Sequence, residues 1–160
     1  MIEHQTAEVS LRPATADDRD LLLAVYAASR AEELDQVEWA PGQREWFLQM
    51  QFEAQDREYR RANPDGHFDV IEVDGRPVGR LYVDRRPADL RIVDIALLPA
   101  YRGRGIGAGL ITELQQQAAG EGRIVSIHVE AFNPAARLYE RLGFVVAADL
   151  GVYRRMEWAP

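Results

Sequence analysis

At 160 residues the chain suits a single domain, expected to span residues 1–160, and is too short for two ordinary ones. A net charge of −7 argues against a nucleic-acid partner, and the absence of cysteine removes disulfides, thiolate metal sites and a cysteine nucleophile. No apolar run reaches membrane-spanning length, and Met1–Thr6 have neither the basic nor the apolar part of a leader, so a cytoplasmic protein without a membrane partner is expected.

In chain order, Val9–Arg12 alternates as a first strand and Pro13 ends it. Thr15 reads as the N-cap of a helix that carries Leu21, Leu22, Val25, Tyr26 and Ala28 to about Leu34. An acidic link through Glu32, Glu33, Asp35 and Glu38 leads to Trp39. A second helix starts at Pro41, places Trp46, Phe47, Met50 and Ala54 on one face and runs to Tyr59, with Asn63–Gly66 as its stop. His67–Val73 and Pro77–Val83 form a hairpin through Asp74-Gly75, and the turn Arg85–Asp89 leads to a third strand, Leu90–Leu97.

After Pro99 the chain enters a loop with glycines at 103, 105, 107 and 109, then a helix with Ile106, Leu110, Ile111, Leu114 and Ala118 on one side, ending at Gly120. Ile124–Glu130 is the next strand. A helix separates it from Leu90–Leu97, so the two run parallel. Asn133–Phe144 is a short helix with an asparagine cap, a proline in its first position and a glycine stop. Two strands close the chain, near Phe144–Ala147 and Val152–Trp158.

The glycine loop carries the most specific chemistry. Glycines let several backbone N–H groups approach one anion, the positive end of a helix dipole lies in the same place, and Arg102 and Arg104 add two cations. A polyphosphate fits. A Walker A loop is excluded because the chain contains no lysine, and a dinucleotide fingerprint fits poorly because Pro99–Arg102 separate the strand from the first glycine.

Arg102-x-x-Gly105-x-Gly107 resembles the acetyl-CoA loop of the GCN5-related N-acetyltransferases (GNAT family). Asn133–Phe144 resembles the second signature of that family, with Ala135, Leu138, Tyr139, Glu140, Gly143 and Phe144 in place and the asparagine one residue nearer the tyrosine. The resemblance covers residues 90–145 and, through element order, the remainder. It implies an α/β (α+β) GNAT fold, a mixed and mostly antiparallel sheet of about seven strands with helices on both faces. It further implies acetyl-CoA as co-substrate with no metal, and direct transfer of an acetyl group to a primary amine of a small molecule or a peptide N-terminus.

The resemblance also assigns residues. Arg102, Gly103, Arg104, Gly105, Ile106 and Gly107 bind the pyrophosphate, while Ile95, Ala96 and Leu97, with Asn133, hold the pantetheine arm. Tyr139 lies at the cofactor and donates to the departing thiolate, as a phenol can at pH 7. Asp94 and Glu130, on neighbouring parallel strands, are alternative bases for the amine, with His128 behind them. The first two helices form the acceptor site, where Glu33, Asp35, Glu38, Trp39 and Trp46 suit a cationic, partly apolar amine. Trp39 and Trp46 are equally accounted for as core, and the acidic run as a solvated face. The last two strands are a common dimer surface in the family, which leaves a homodimer open. The alternatives to an enzyme are a non-catalytic acyl-CoA sensor or interaction module, and a nucleotide-binding regulator that uses the same loop.

Overall fold

The computed structural model describes residues 7–160, so the expectation for Met1–Thr6 lies outside the described residues. The elements are β1 (Val9–Pro13), α1 (Arg19–Leu34), α2 (Gln43–Ala62), β2 (His67–Val73), β3 (Arg76–Arg85), β4 (Asp89–Leu97), α3 (Ile106–Glu121), β5 (Ile124–Glu130), α4 (Ala136–Arg141), β6 (Val145–Asp149) and β7 (Tyr153–Trp158). Short 3-10 turns at Ala16–Asp18 and Pro99–Tyr101 precede α1 and α3. The strands form one sheet in the order β1-β2-β3-β4-β5-β7-β6. Within it β4 and β5 are parallel, while β1–β2, β5–β7 and β6–β7 are antiparallel. Order, strand number and sheet type are those expected.

The described residues divide into two compact units, one of residues 7–64, Phe68–Leu81 and Ile95–Arg102, the other of Asp65–His67, Tyr82–Asp94 and Gly103–Pro160. In the first, Leu22, Tyr26, Phe52 and Val70 form the core, with Leu21, Leu23 and Leu48 packed against it. The inward face of α2 is therefore Leu48 and Phe52. Trp46 and Met50, expected on the buried face, are 62% and 46% exposed. Two i,i+4 apolar ridges run along this helix, and the one that meets Tyr26 is buried. Gly42, at φ +77°, is the N-cap of α2, so Pro41 precedes the helix instead of starting it. Before α1, the Asp18 carboxylate accepts from Thr15 N at 2.8 Å and from both terminal nitrogens of Arg12 at 2.8 Å. The hairpin turn Asp74-Gly75 has both residues at positive φ, the geometry that matches strand twist.

In the second unit, Ile106, Leu110, Ile111, Leu114 and Ala118 of α3 are buried, as their spacing requires. α3 does not stop at Gly120. It reaches Glu121, and Gly122 at φ +67° ends it while Arg123 N bonds Ala118 O. α4 is shorter than expected, because Asn133 Oδ1 accepts from Ala135 N at 2.9 Å and commits Asn133-Pro134 to a turn before the helix. Its other end explains the spacing of the tyrosine, glycine and phenylalanine. Gly143 is left-handed at φ +93°, Phe144 N bonds Tyr139 O and Gly143 N bonds Glu140 O, both at 3.0 Å. This is a Schellman closure, and its usual apolar contact is the Phe144 ring against Tyr139, with centroids 5.6 Å apart.

Candidate active site

The parallel ladder of β4 and β5 runs from Asp89 opposite Ile124 to Ile92 opposite Ile127. Both strands continue, β4 to Leu97 and β5 to Glu130, but among the described residues the ladder ends there. The strands part at Val93–Asp94 and His128–Glu130. Continuing the alternation of side chains places Asp94 on the face of Leu90 and Ile92, and Glu130 on the face of Ser126 and His128. The two candidate bases thus stand on opposite faces of the sheet, and Glu130 is exposed.

Tyr139 is 5% exposed. Burial pushes its phenol well above the ordinary tyrosine range, and the Asp94 carboxylate adds to the effect. The proton therefore stays on the phenol at any physiological pH. Tyr139 and Asp94 are near enough to interact electrostatically.

The Glu130 face is organised by a network that is buried at Asp89, Arg91 and Ser126 and exposed at His128. Arg91 Nε donates to Ser126 Oγ at 2.8 Å, and Ser126 Oγ donates to Asp89 Oδ2 at 2.5 Å. Arg91 Nη1 lies 3.1 and 3.3 Å from the two ring nitrogens of His128. Desolvation, then the charges of Arg91, Arg155 and Arg86, lower the His128 pKa. Neutral His128 offers Arg91 the lone pair of its unprotonated nitrogen, the same lone pair that a base would need.

Leading into α3, Gly103 and Gly105 adopt φ +71° and +79°, and a Cβ built on either meets no atom within 4 Å. The loop is open above its backbone, and the first-turn amides of α3 have no acceptor within the helix. Gly103, Arg104 and Gly105 are exposed, Gly107 is half-buried and Ile106 is buried. Such a cradle accommodates a pyrophosphate.

Within the first unit, Ile95, Ala96 and Leu97 are half-buried, and Arg102 Nε donates to Leu97 O at 3.1 Å. Gly79 packs against them. A Cβ there would lie 2.4 Å from Ala96 O and 2.8 Å from a Leu97 methyl. Sequence reasoning passed over Gly79, although a glycine inside an apolar strand is a known sign of close backbone approach. It also passed over Asp89 and Arg91, whose alternation with Leu90 and Ile92 was a legible sign of a polar face.

Two of the four carboxylates in the acidic link between α1 and α2 are ion-paired. Glu33 meets Arg30 at 3.2 Å and Asp35 meets Arg44 at 2.6 Å. Trp39 Nε1 donates to Leu34 O at 2.9 Å and its ring lies 5.3 Å from that of Phe47. Trp39, Phe47, Tyr26, Leu34 and Glu33 line a cavity of about 250 Å³. Trp39 is half-buried here, whereas exposed Trp46 belongs to neither the core nor this cavity.

Residues 31–144 match the model of the acetyltransferase (GNAT) family, and the chain belongs to that family. It is 35% identical over 143 residues to a mycothiol acetyltransferase of Corynebacterium glutamicum, covering 86% of this chain and 46% of that one. It is also 35% identical over 88 residues to the N-alpha-acetyltransferase RimI of Mycobacterium tuberculosis, covering 52% and 54%. The chain therefore spans about half the length of these curated relatives. Among solved structures, the PaiA N-acetyltransferase of Thermoplasma acidophilum in complex with coenzyme A superposes with a TM-score of 0.71 at 18% identity, over 96% of this chain and 99% of that one. Among the described residues no helix is long and apolar enough to cross a membrane.

Proposed function

We propose that the chain is an acetyl-CoA-dependent N-acetyltransferase that moves the acetyl group directly to a primary amine of a small molecule or a peptide N-terminus. The observation that carries the reading is the parting of β4 and β5, with Asp94, which interacts electrostatically with the buried Tyr139 phenol, on one face and an exposed carboxylate, Glu130, on the other. The relatives' names, a mycothiol acetyltransferase and an N-alpha-acetyltransferase, accord with a small-molecule acceptor and an α-amine acceptor. Acetyl-CoA enters through the glycine cradle at Gly103–Gly107, with Arg102 and Arg104 beside the phosphates and the extended segment Ile95–Leu97 along the pantetheine amides. Asn133 contributes its amide nitrogen, since its oxygen is used in the turn.

Glu130 removes a proton from the ammonium form of the acceptor, and the free amine attacks the thioester carbon. The C–S bond breaks, its electron pair stays on sulfur, and the nitrogen, cationic after the attack, gives its second proton to solvent. The Tyr139 phenol, held protonated well above the range of a thiol, stabilises that thiolate as a hydrogen-bond donor, and solvent later supplies the proton of free CoA. The test is thiol release from acetyl-CoA across polyamines, amino acids, aminoglycosides and short peptides. Activity on one class, reduced in Tyr139→Phe, supports the reading. Tight CoA binding without turnover on any acceptor leaves a CoA-binding module instead.

A further inference from the structure

The network on the Glu130 face does something that the transfer step alone does not require. Arg91 belongs to the second-last pair of the β4–β5 ladder, opposite Ser126, and His128 is the first residue of its face beyond the last pair. The Arg91–His128 contact therefore spans the strands where they separate. Arg91 is 7% exposed and Ser126 fully buried, so the guanidinium is fixed from below by Ser126, with Asp89 behind it, and its Nη1 reaches His128. His128 and Glu130 share a face and are two residues apart, so whatever sets the one strand position sets the other.

An arginine offers only donors, so this contact exists only while His128 has an unprotonated nitrogen. Around the imidazole stand Arg91 of β4, Arg86 of the preceding turn and Arg155 opposite it on β7. The carboxylates are already engaged. Glu157 takes Arg155 at 2.8 Å, Asp89 takes Ser126, and Asp84 takes Arg86 at 3.1 Å. A protonated His128 loses its partner and gains three repelling charges, with Glu130 as the remaining anion on its own strand.

Resting on the acetyltransferase reading above, we infer that His128 is a positioning residue. Its neutral imidazole, held by Arg91, sets the width of the β4–β5 fork and the placement of Glu130, and its protonation opens the fork and weakens acetyl-CoA binding.

The experiment measures CoA affinity by calorimetry at about pH 7.5 and about pH 5.5 for wild type and His128→Gln, with an NMR titration of the His128 ring. Glutamine keeps an oxygen for Arg91 and does not titrate. The phosphates of CoA titrate in this range too, but equally for both proteins, so the ratio of the two affinities is the readout. Wild type is expected to lose up to about tenfold more affinity on acidification than His128→Gln, the effect of one pKa unit between free and bound states. The His128 ring should titrate below its ordinary range and lower still with CoA. An equal loss in both proteins, or a His128 that titrates normally and ignores CoA, overturns the inference and leaves the acetyltransferase reading intact. Failure of wild type to bind CoA at either pH overturns that reading, and the inference with it.

Discussion

Gly79 lies directly against Ala96. A Cβ on Gly79 would stand 2.4 Å from the Ala96 carbonyl oxygen, a backbone atom that cannot move without shifting β4. Gly79→Ala is therefore expected to destabilise the protein by about 1–3 kcal/mol and to displace Ile95–Leu97, the segment proposed to run along the pantetheine arm. Thermal unfolding and calorimetric CoA binding should both suffer. Gly120→Ala is the contrasting variant. Gly120 lies inside α3 with nothing near its absent Cβ, so alanine should stabilise by about 0.5–1 kcal/mol and leave CoA binding unchanged. A tolerated Gly79→Ala with normal affinity would remove the close approach from the account of the site.

Tyr139→Phe keeps the ring against Phe144 and removes only the hydroxyl. The turnover number is expected to fall about 100-fold, with CoA affinity little changed. Because burial first and Asp94 second raise the phenol well above its ordinary range, wild type should show no loss of activity from Tyr139 ionisation up to about pH 10. A pH–rate profile that falls in the pH 8–9 region in wild type, and not in Tyr139→Phe, would contradict the burial of this hydroxyl.

Much of this was legible in the sequence, for identifiable reasons. Asp74-Gly75, the glycine loop and the buried stripe of α3 each carry a local rule that the fold obeys, and the intervening helix fixed β4 and β5 as parallel. The apolar face of α2 was not legible, because Trp46–Met50 and Leu48–Phe52 are equally good ridges and only Tyr26 of α1 chooses between them. The end of α3 was misread at Gly120, two residues early, since either glycine could supply the left-handed cap. At the site, Tyr139 could be found from the resemblance of Asn133–Phe144 to the family signature, and the two strands from the order of elements. The opposition of Asp94 and Glu130 could not, because it depends on the register between strands whose paired residues are 35 apart in the chain. The roles of Gly79 and Arg91 likewise need the neighbours that the sheet brings to them.

Asp18 is 6% exposed, and the hydrogen bonds from Arg12 and then from Thr15 N lower its pKa from 3.8 to about 2. A carboxylate with a depressed folded pKa stabilises above its unfolded value and loses that contribution as pH falls through the folded one. The contribution is about 1–2 kcal/mol, reduced by the partial exposure of Arg12, and it should disappear between about pH 4 and pH 2. Asp18→Asn should lower the midpoint of thermal unfolding at neutral pH and flatten its dependence across that window. An unchanged acid dependence in the variant would show that Asp18 is not the group responsible.

The opposite faces of Asp94 and Glu130 separate their roles. Glu130 is exposed and Asp94 lies on the other face of the sheet, and in the proposed reaction Glu130 meets the incoming amine while Asp94 stands beside Tyr139. Glu130→Gln is expected to lower kcat/KM about 100-fold at neutral pH, with recovery as pH rises and the acceptor deprotonates unaided. Asp94→Asn removes a negative charge that helps keep the Tyr139 proton in place. Since burial is the larger cause of that retention, only a several-fold loss is expected, with no recovery at high pH. The two profiles, measured side by side on one acceptor, discriminate the assignments. If alkaline recovery appeared in Asp94→Asn and not in Glu130→Gln, the amine would approach from the Tyr139 face, and Asp94 would be the base.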